Sequence, residues 1–360
     1  NNKVTTLGTP GVVSSTFTWE KVNTINIGVD LGMFRNRLSA TFNYYIRDTK
    51  DMLTDGMELP SVLGTKAPKD NAADLRTKGY ELEMRWQDQV GEVHYNVGFN
   101  LYDSKSEITK FNNSVGLLSS HRVGEQLGEK WGFVTDRFYT DADFDANGKL
   151  LEGIPVVKGV TPQPGDILYK DFDGNLIIDN GENTESNPGD MQIIGNSSRR
   201  LQYGVSGGVG YKGLEFSFLI QGVGSREMWL DNTLIFPQYG EFSTTFQHQL
   251  NYWTPENTNA FYPRIYERSL GNTGANRKVQ TKYMINGAYC RIKNLTLSYS
   301  LPKKWIQHLA LQRASISFSG EDLFTFKKAS KGIDPEVTGS QSGWNYPYMR
   351  RFSIGVNLTF

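Results

Sequence analysis

Along much of this chain every second residue is apolar and the residues between are small or polar, a period of two that predicts β-strands with one greasy and one wet face. Residues 25–31 set Ile25, Ile27, Val29 and Leu31 against Asn26, Gly28 and Asp30. Residues 38–46 set Leu38, Ala40, Phe42, Tyr44 and Ile46 against Ser39, Thr41, Asn43 and Tyr45. Tyr80, Leu82, Met84 and Trp86 oppose Glu81, Glu83 and Arg85, and Val93, Tyr95, Val97, Phe99 and Leu101 oppose His94, Asn96, Gly98 and Asn100. The same alternation fills Leu201–Tyr211, Leu214–Ile220, Leu295–Leu301, Ala314–Phe318 and Phe352–Phe360, which makes nine strands. Their second face carries Gln, Ser, Thr, Asn, Glu and Arg, which a sandwich interior accepts poorly because each buried polar group needs its own partner.

A soluble antiparallel sheet also alternates, so the connections carry more weight. They are short at 34–37, long at 53–75, short at 89–92, very long at 107–199, short at 212–213, long at 227–284, short with room for one helix at 302–310, and long at 327–346. Regular exchange of short and long connections is expected of a membrane β-barrel, with tight periplasmic turns on one rim and extracellular loops on the other. Trp86, Tyr211, Tyr299 and Phe360 all fall on the apolar face near a short turn or the C-terminus, as an interfacial aromatic girdle requires. The organisation is then an extracellular loop end at 1–20, four strands in 21–106, an extracellular loop at 107–199, two strands in 200–226, a further loop at 227–284 and three strands in 285–360.

Composition narrows the alternatives. The 360 residues hold 38 Lys and Arg against 38 Asp and Glu, so there is no basic footprint for nucleic acid. Cys290 is the lone cysteine, so stability does not rest on intrachain disulfides. No run of 18 apolar residues is present, which removes a spanning helix and leaves a barrel open. The opening Asn1-Asn2-Lys3 has neither an initiator Met nor a signal-like apolar stretch, which reads as a fragment or processed product. Nine strands are an odd number and too few to close around a wide lumen, so further strands are expected from the same protein or another chain.

Four segments, in order, resemble the C-terminal part of SusC/RagA-like TonB-dependent outer-membrane transporters. They are Trp19-Glu20-Lys21 through Gly28-Val29-Asp30, the run from Tyr283-Met284-Ile285-Asn286-Gly287 to Leu301-Pro302, Gly332-Ile333-Asp334-Pro335-Glu336, and the terminus from Tyr346-Pro347 to Phe360. The second departs from the family mainly at Cys290. The resemblance implies an all-β, antiparallel transmembrane barrel of roughly 22 strands plugged by a further domain, of which this chain is the C-terminal portion with long extracellular loops. It implies TonB-dependent import of an oligosaccharide or oligopeptide, a SusD-like surface lipoprotein as partner, TonB contacted through a plug outside these residues, and outer-membrane lipid around the wall. It also implies that the strand ending at Phe360 is read by the barrel-assembly machinery.

Local motifs add candidate chemistry. Asp171, Asp173, Asn175, Asp179 and Glu182 occupy positions 1, 3, 5, 9 and 12 of a twelve-residue loop, the spacing of hard oxygen ligands for Ca²⁺, although Leu176 replaces the usual position-6 glycine. The competing reading is an acidic surface turn. Asp143-Phe144-Asp145-Ala146-Asn147-Gly148 begins alike but places Ile154 at position 12 and reads as a hairpin turn. Gly208, Gly210 and Gly213 spell G-x-G-x-x-G with no helix to follow, so lumen-facing glycines and a tight turn explain them. His94, His121, His248 and His308 are scattered, with no zinc or hydrolase motif, and no enzyme is expected.

The long connections carry Trp131, Trp229, Tyr239, Trp253, Trp344 and Tyr346 among amide and charged residues. Flat rings beside such groups suit sugars and peptides, and equally suit loops pinned together or a docked partner. Arg199-Arg200 and Arg350-Arg351 leave the long-loop rim, either snorkelling or meeting lipid phosphates. A passive porin and a surface adhesin are the competing functions.

Overall fold

The computed structural model describes residues 17–55, 68–238, 244–266, 272–307, 311–329, 333–336 and 349–360. Nine strands lie side by side in chain order: β1 (Lys21–Met33), β2 (Leu38–Asp55), β3 (Lys69–Val90), β4 (Val93–Lys110), β5 (Arg200–Tyr211), β6 (Leu214–Ser225), β7 (Tyr289–Ser300), β8 (Arg313–Lys327) and β9 (Arg351–Thr359). Every pairing is antiparallel, so each strand meets its sequence neighbours and the sheet is a meander.

Register turns the sequence alternation into two continuous surfaces. Val29, Phe42, Leu82, Leu101 and Tyr203 pair in one row across five strands, while one residue along Asp30, Thr41, Glu83, Asn100 and Gly204 pair in another. On the other half Val209, Phe216, Leu297, Phe318 and Ile354 form a third, apolar row. Slipping any ladder by one residue would throw a whole strand's apolar set onto the wet face.

The short turns fix this register. Lys212 and Gly213 both adopt positive φ (47° and 85°), the two-residue geometry whose twist matches the flanking strands. Phe34, Arg35 and Asn36 are left-handed in succession at 55°, 59° and 64°. Gly91 supplies φ 59° in the β3–β4 turn. The β7–β8 connection carries the expected single-turn helix, Lys303–Ile306.

The apolar face of the sheet is left uncovered, unlike that of a water-soluble sheet protein. The apolar row positions face outward, with Phe42 at 44% and Phe318 at 50% exposure on interior strands. The packed core, which includes Phe133, Tyr169, Ile178, Phe236 and Tyr283, lies wholly in the long connections and has no member in β1–β9. Leaving side chains of this size in water forfeits roughly 1.5–3 kcal/mol each, and a band running across the whole sheet far exceeds the few-hundred-Å² patches of soluble monomers. On β2 the outward apolar positions run from Leu38 to Ile46. Eight residue steps at a 40° tilt span about 20 Å of height, near the roughly 25 Å apolar band of a membrane barrel.

At the short-connection rim Trp86 is half-buried with its ring 5.8 Å from Phe34, and Tyr211 and Phe360 are exposed. Phe34 and Trp305, both exposed on this rim, join the aromatic residues read from sequence.

Above the apolar band the strands run further than the alternation indicates. The connection expected at 53–75 begins only after Asp55 and ends at Lys69, and β4 continues to Lys110. There part of the wall packs beneath the long connections, with Ala73 and Ile108 buried, so the period of two fades while the ladder persists, helped by pairs such as Arg76 with Asp48 at 2.7 Å. A Phe318→Arg substitution should cost the membrane-embedded full-length protein about 2–4 kcal/mol in equilibrium urea unfolding. Ser319→Arg, on the wet face, should stay near wild type; equal costs would contradict the two-sided wall.

Candidate functional site

The inward face of the sheet is a polar wall. Thr41 Oγ1 donates to Asp30 Oδ1 at 2.6 Å, Tyr102 donates to Gln202 Oε1 at 2.8 Å, and His94 Nε2 stands 3.0 Å from Glu215 Oε1. Gly208 and Gly210 lie on this face, and a Cβ on Gly210 would come within 2.2 Å of the His94 ring. They accommodate their neighbours, and the following hairpin supplies no helix for a phosphate.

Over one end of the wall the long connections pack into a cap held by buried polar hubs. Asp166 accepts hydrogen bonds from Asn276 Nδ2 at 2.8 Å, Asn272 Nδ2 at 2.6 Å and the Tyr266 hydroxyl at 3.1 Å, tying residues 107–199 to residues 227–284. Gln280, fully buried, donates to the Tyr169 hydroxyl and accepts from Thr135 Oγ1. Arg137 grips Asp143 at 2.6 and 2.7 Å, and this pairing holds the Asp143 carboxyl below its usual range. Asp145 accepts from the Asn147 and Lys149 amides, so this second acidic stretch is the hairpin turn read from sequence.

A third assembly anchors the cap to the wall. Arg291, on the upper part of β7 and only 2% exposed, donates to Asp334 Oδ2 at 2.6 Å and Thr325 Oγ1 at 2.7 Å and lies 3.0 Å from Glu336 Oε2. Lys293 bridges Asp322 and Glu336, each at 3.0 Å. Arg226 donates to the Pro335 carbonyl at 3.1 Å and Arg199 to the Glu336 carbonyl at 3.2 Å. The Asp334-Pro335-Glu336 turn is thereby latched to β7 and to residues flanking the ends of β5 and β6. Its two halves stand 43 residues apart, so only the folded chain shows their union.

The acidic loop differs from its expectation. The described residues that bring carboxylates together are Asp171, Asp173 and Asp190, within 4.8 Å of one another. Of the five positions read from sequence, Asp171 and Asp173 are in this group and Asp179 and Glu182 are not. Asp179 is paired with Lys158 at 2.8 Å, Asn175 is spent on Asp173 and the Ile177 amide, and Glu182 is exposed. Asp190, which the twelve-residue spacing cannot reach, is fully buried and accepts from the Phe172 and Asp179 amides; burial, then the nearby Asp173 and Asp171 charges, push its carboxyl upward. Leu176 takes φ 64°, so the chain makes the glycine-type turn without the glycine, at a cost of roughly 1–2 kcal/mol. A cation in this loop would draw its side-chain ligands from Asp171, Asp173 and Asp190.

The aromatic residues fall into two environments. Trp253, 4% exposed, lies on Gly165, where a Cβ would meet its ring at 2.3 Å. Trp229 packs at a tilt against Phe236 at 5.7 Å, and Trp131 lies under the Arg122 guanidinium at 5.2 Å while its Nε1 donates to Glu129. Tyr239, Trp344, Tyr346 and His308 lie outside the described residues. Beside the pinned rings is a cavity of about 500 Å³, whose lining includes Phe246, His248, Phe261, Tyr262, Lys282 and Ile333. Burial lowers the Lys282 pKa, and its ammonium stands 4.6 Å from the Phe138 ring centre. An aromatic chamber with two lysines, Lys282 and Lys328, suits an organic solute. Phe246 and Lys282 were not legible as site residues, because nothing in their local spacing marks them.

A family model described as TonB dependent receptor-like, beta-barrel matches residues 2–323. The chain is 27% identical to TonB-dependent receptor P3 of Formosa agariphila, over 95% of this chain and 34% of that protein. It is 22% identical to TonB-dependent receptor SusC of Bacteroides thetaiotaomicron, over 98% of this chain and 33% of that protein. Its fold is similar to that of the RagAB peptide transporter, with a TM-score of 0.70 and 22% identity, covering 100% of this chain and 38% of that one. The chain thus spans about a third of the length of the curated relatives it matches.

Removing Arg291 leaves Asp334 without its cation and Asp322 and Glu336 with Lys293 alone, and breaking a buried pair this way costs roughly 3–5 kcal/mol. Arg291→Ala should therefore raise hydrogen exchange of residues 333–336 by tenfold or more. Arg313→Ala, at the opposite rim, should leave it unchanged.

Proposed function

The chain belongs to the TonB dependent receptor-like β-barrel family, and from that premise we propose that it is the wall and cap of an outer-membrane importer for an oligosaccharide or oligopeptide. The family is one of transporters and receptors, not enzymes. The observation that carries the proposal is the two-sided sheet, with its apolar rows exposed and its polar rows paired on the opposite face.

In this reading the apolar rows meet lipid, the polar wall lines the lumen, the short-turn rim faces the periplasm and the packed cap faces the cell exterior. β1 and β9 form the two edges of the sheet, and their free edges pair with further strands of the same polypeptide, since open edges do not persist in hydrocarbon. Cargo passes the cap and the aromatic chamber. A plug displaced through TonB gives the step its direction, and a SusD-like surface lipoprotein covers the cap. The latched Asp334-Pro335-Glu336 turn supports a cap that works as one body.

The test uses cells lacking the full-length gene, complemented with it, and fluorescent oligosaccharide and oligopeptide pools. Uptake of one pool should fall to background on deletion, and again when TonB is removed from complemented cells. Uptake that survives loss of TonB would indicate a passive porin; surface binding without any uptake would indicate an adhesin.

A further inference from the structure

We infer that the aromatic chamber of the cap binds the carboxylate end of an oligopeptide, with the apolar side chain next to that carboxylate lying against the chamber's rings. The inference rests on the importer reading and deepens it by choosing between its two cargo classes. Among the described lining residues the charges have one sign: Lys282 and Lys328 line the chamber, and no aspartate or glutamate does. Neither lysine forms an ion pair with a carboxylate among the described residues, and the acids next to the lining are engaged elsewhere. Asp334, beside Ile333, is held by Arg291 at 2.6 Å, and Glu227, opposite Asn286, accepts from the Asn196 amide at 3.1 Å.

Lys282 is the focus of this charge. It is half-buried, its ammonium stands over the Phe138 and Phe261 rings at 4.6 and 5.8 Å, and burial alone lowers its pKa. Ring faces return part of the hydration that an ammonium loses on leaving water, and a positive charge with no counter-charge there favours an incoming anion. A carboxylate at this amine gains a charge-assisted hydrogen bond in surroundings of low dielectric. Lys328, exposed, adds a second cation that attracts the same group.

The rest of the lining decides what the carboxylate is attached to. Leu234, Ile235, Phe261, Tyr262, Met284 and Ile285 present aliphatic and aromatic surface. The polar groups among them are largely spent. His248 Nε2 donates to the Leu234 carbonyl at 2.8 Å, the Tyr283 hydroxyl to the Phe261 carbonyl at 3.0 Å, and Asn286 Oδ1 accepts from the Ala288 amide at 2.9 Å. A sugar would bring a hydroxyl on most ring carbons and find few partners, at a cost for each one left unbonded. The last residue of a peptide brings one carboxylate and one side chain, and a space of about 500 Å³ lies within the range of small-ligand sites.

The test is isothermal titration calorimetry of the full-length protein in detergent with three probes: N-acetyl-leucyl-phenylalanine, the same dipeptide with its C-terminus amidated, and digalacturonic acid. Wild type should bind the free-acid peptide roughly tenfold or more tightly than the amide, since a hydrogen bond between charged groups is at stake, and more tightly than the uronic acid. Lys282→Met, which keeps the apolar stem, should lose the preference for acid over amide. Lys282→Arg and the opposite-rim Lys212→Met should keep it, and Phe246→Ala, which trims the apolar lining, should weaken both peptides alike. Heat-dependent gel mobility confirms that each barrel is folded; should the methionine variant not fold, the acid and amide on wild type and on Phe246→Ala decide. Equal binding of acid and amide by wild type, no binding of either, a methionine variant that keeps the preference, or Phe246→Ala binding as wild type overturns the site. Digalacturonic acid bound as tightly as the free-acid peptide overturns its assignment to peptides. A chamber that fails this test leaves the importer reading standing; that reading falls instead on uptake that survives loss of TonB or on surface binding without uptake.

Discussion

The fold depends on one constraint: a sheet with hydrocarbon on one side and water on the other must alternate without error and must satisfy every backbone amide through its neighbours. The meander meets it with eight antiparallel ladders in which rows such as Val209, Phe216, Leu297, Phe318 and Ile354 stay in phase. Register is held by turns with left-handed residues, Lys212-Gly213 and Phe34-Arg35-Asn36, because their twist admits one pairing only. Stability of the wall is then a matter of lipid contact and ladder hydrogen bonds.

The long connections obey the opposite rule. They stand outside hydrocarbon and fold as a soluble domain would, around Phe133, Tyr169, Phe236 and Tyr283, with buried polar hubs at Asp166 and Gln280. A satisfied polar hub specifies one arrangement of otherwise irregular chain. Arg291 joins the two regimes: it stands on the upper part of β7 and closes on a turn of the cap. The protein is in this sense two solvents' worth of folding in one sheet.

What the sequence made legible follows from range. Alternation and turn chemistry are local, so all nine strands and the short-turn rim could be read directly, including the helix at Lys303–Ile306. Above the apolar band one face packs in part beneath the long connections, the alternation loses its cause, and the upper parts of β2, β3 and β4 were not visible as strand. The acidic loop shows the same limit: Asp171 and Asp173 are two residues apart and were found, whereas Asp190 arrives from beyond the loop through its bonds to the Phe172 and Asp179 amides. Likewise Arg291 and Asp334 could each be noticed as part of a familiar segment, but not as partners.

The most direct measurement of the central claim is solvent accessibility along β8 in the full-length protein reconstituted in bilayers. With Cys290 replaced by alanine, single spin labels at residues 315–319 are read for collision with oxygen, which concentrates in lipid, and with a water-soluble nickel reagent. The account predicts alternation: Ile316 and Phe318 positions favour oxygen, Ser315, Ser317 and Ser319 favour the aqueous reagent. Labels at 316 and 318 that are shielded from both, as inside a globular core, would contradict it.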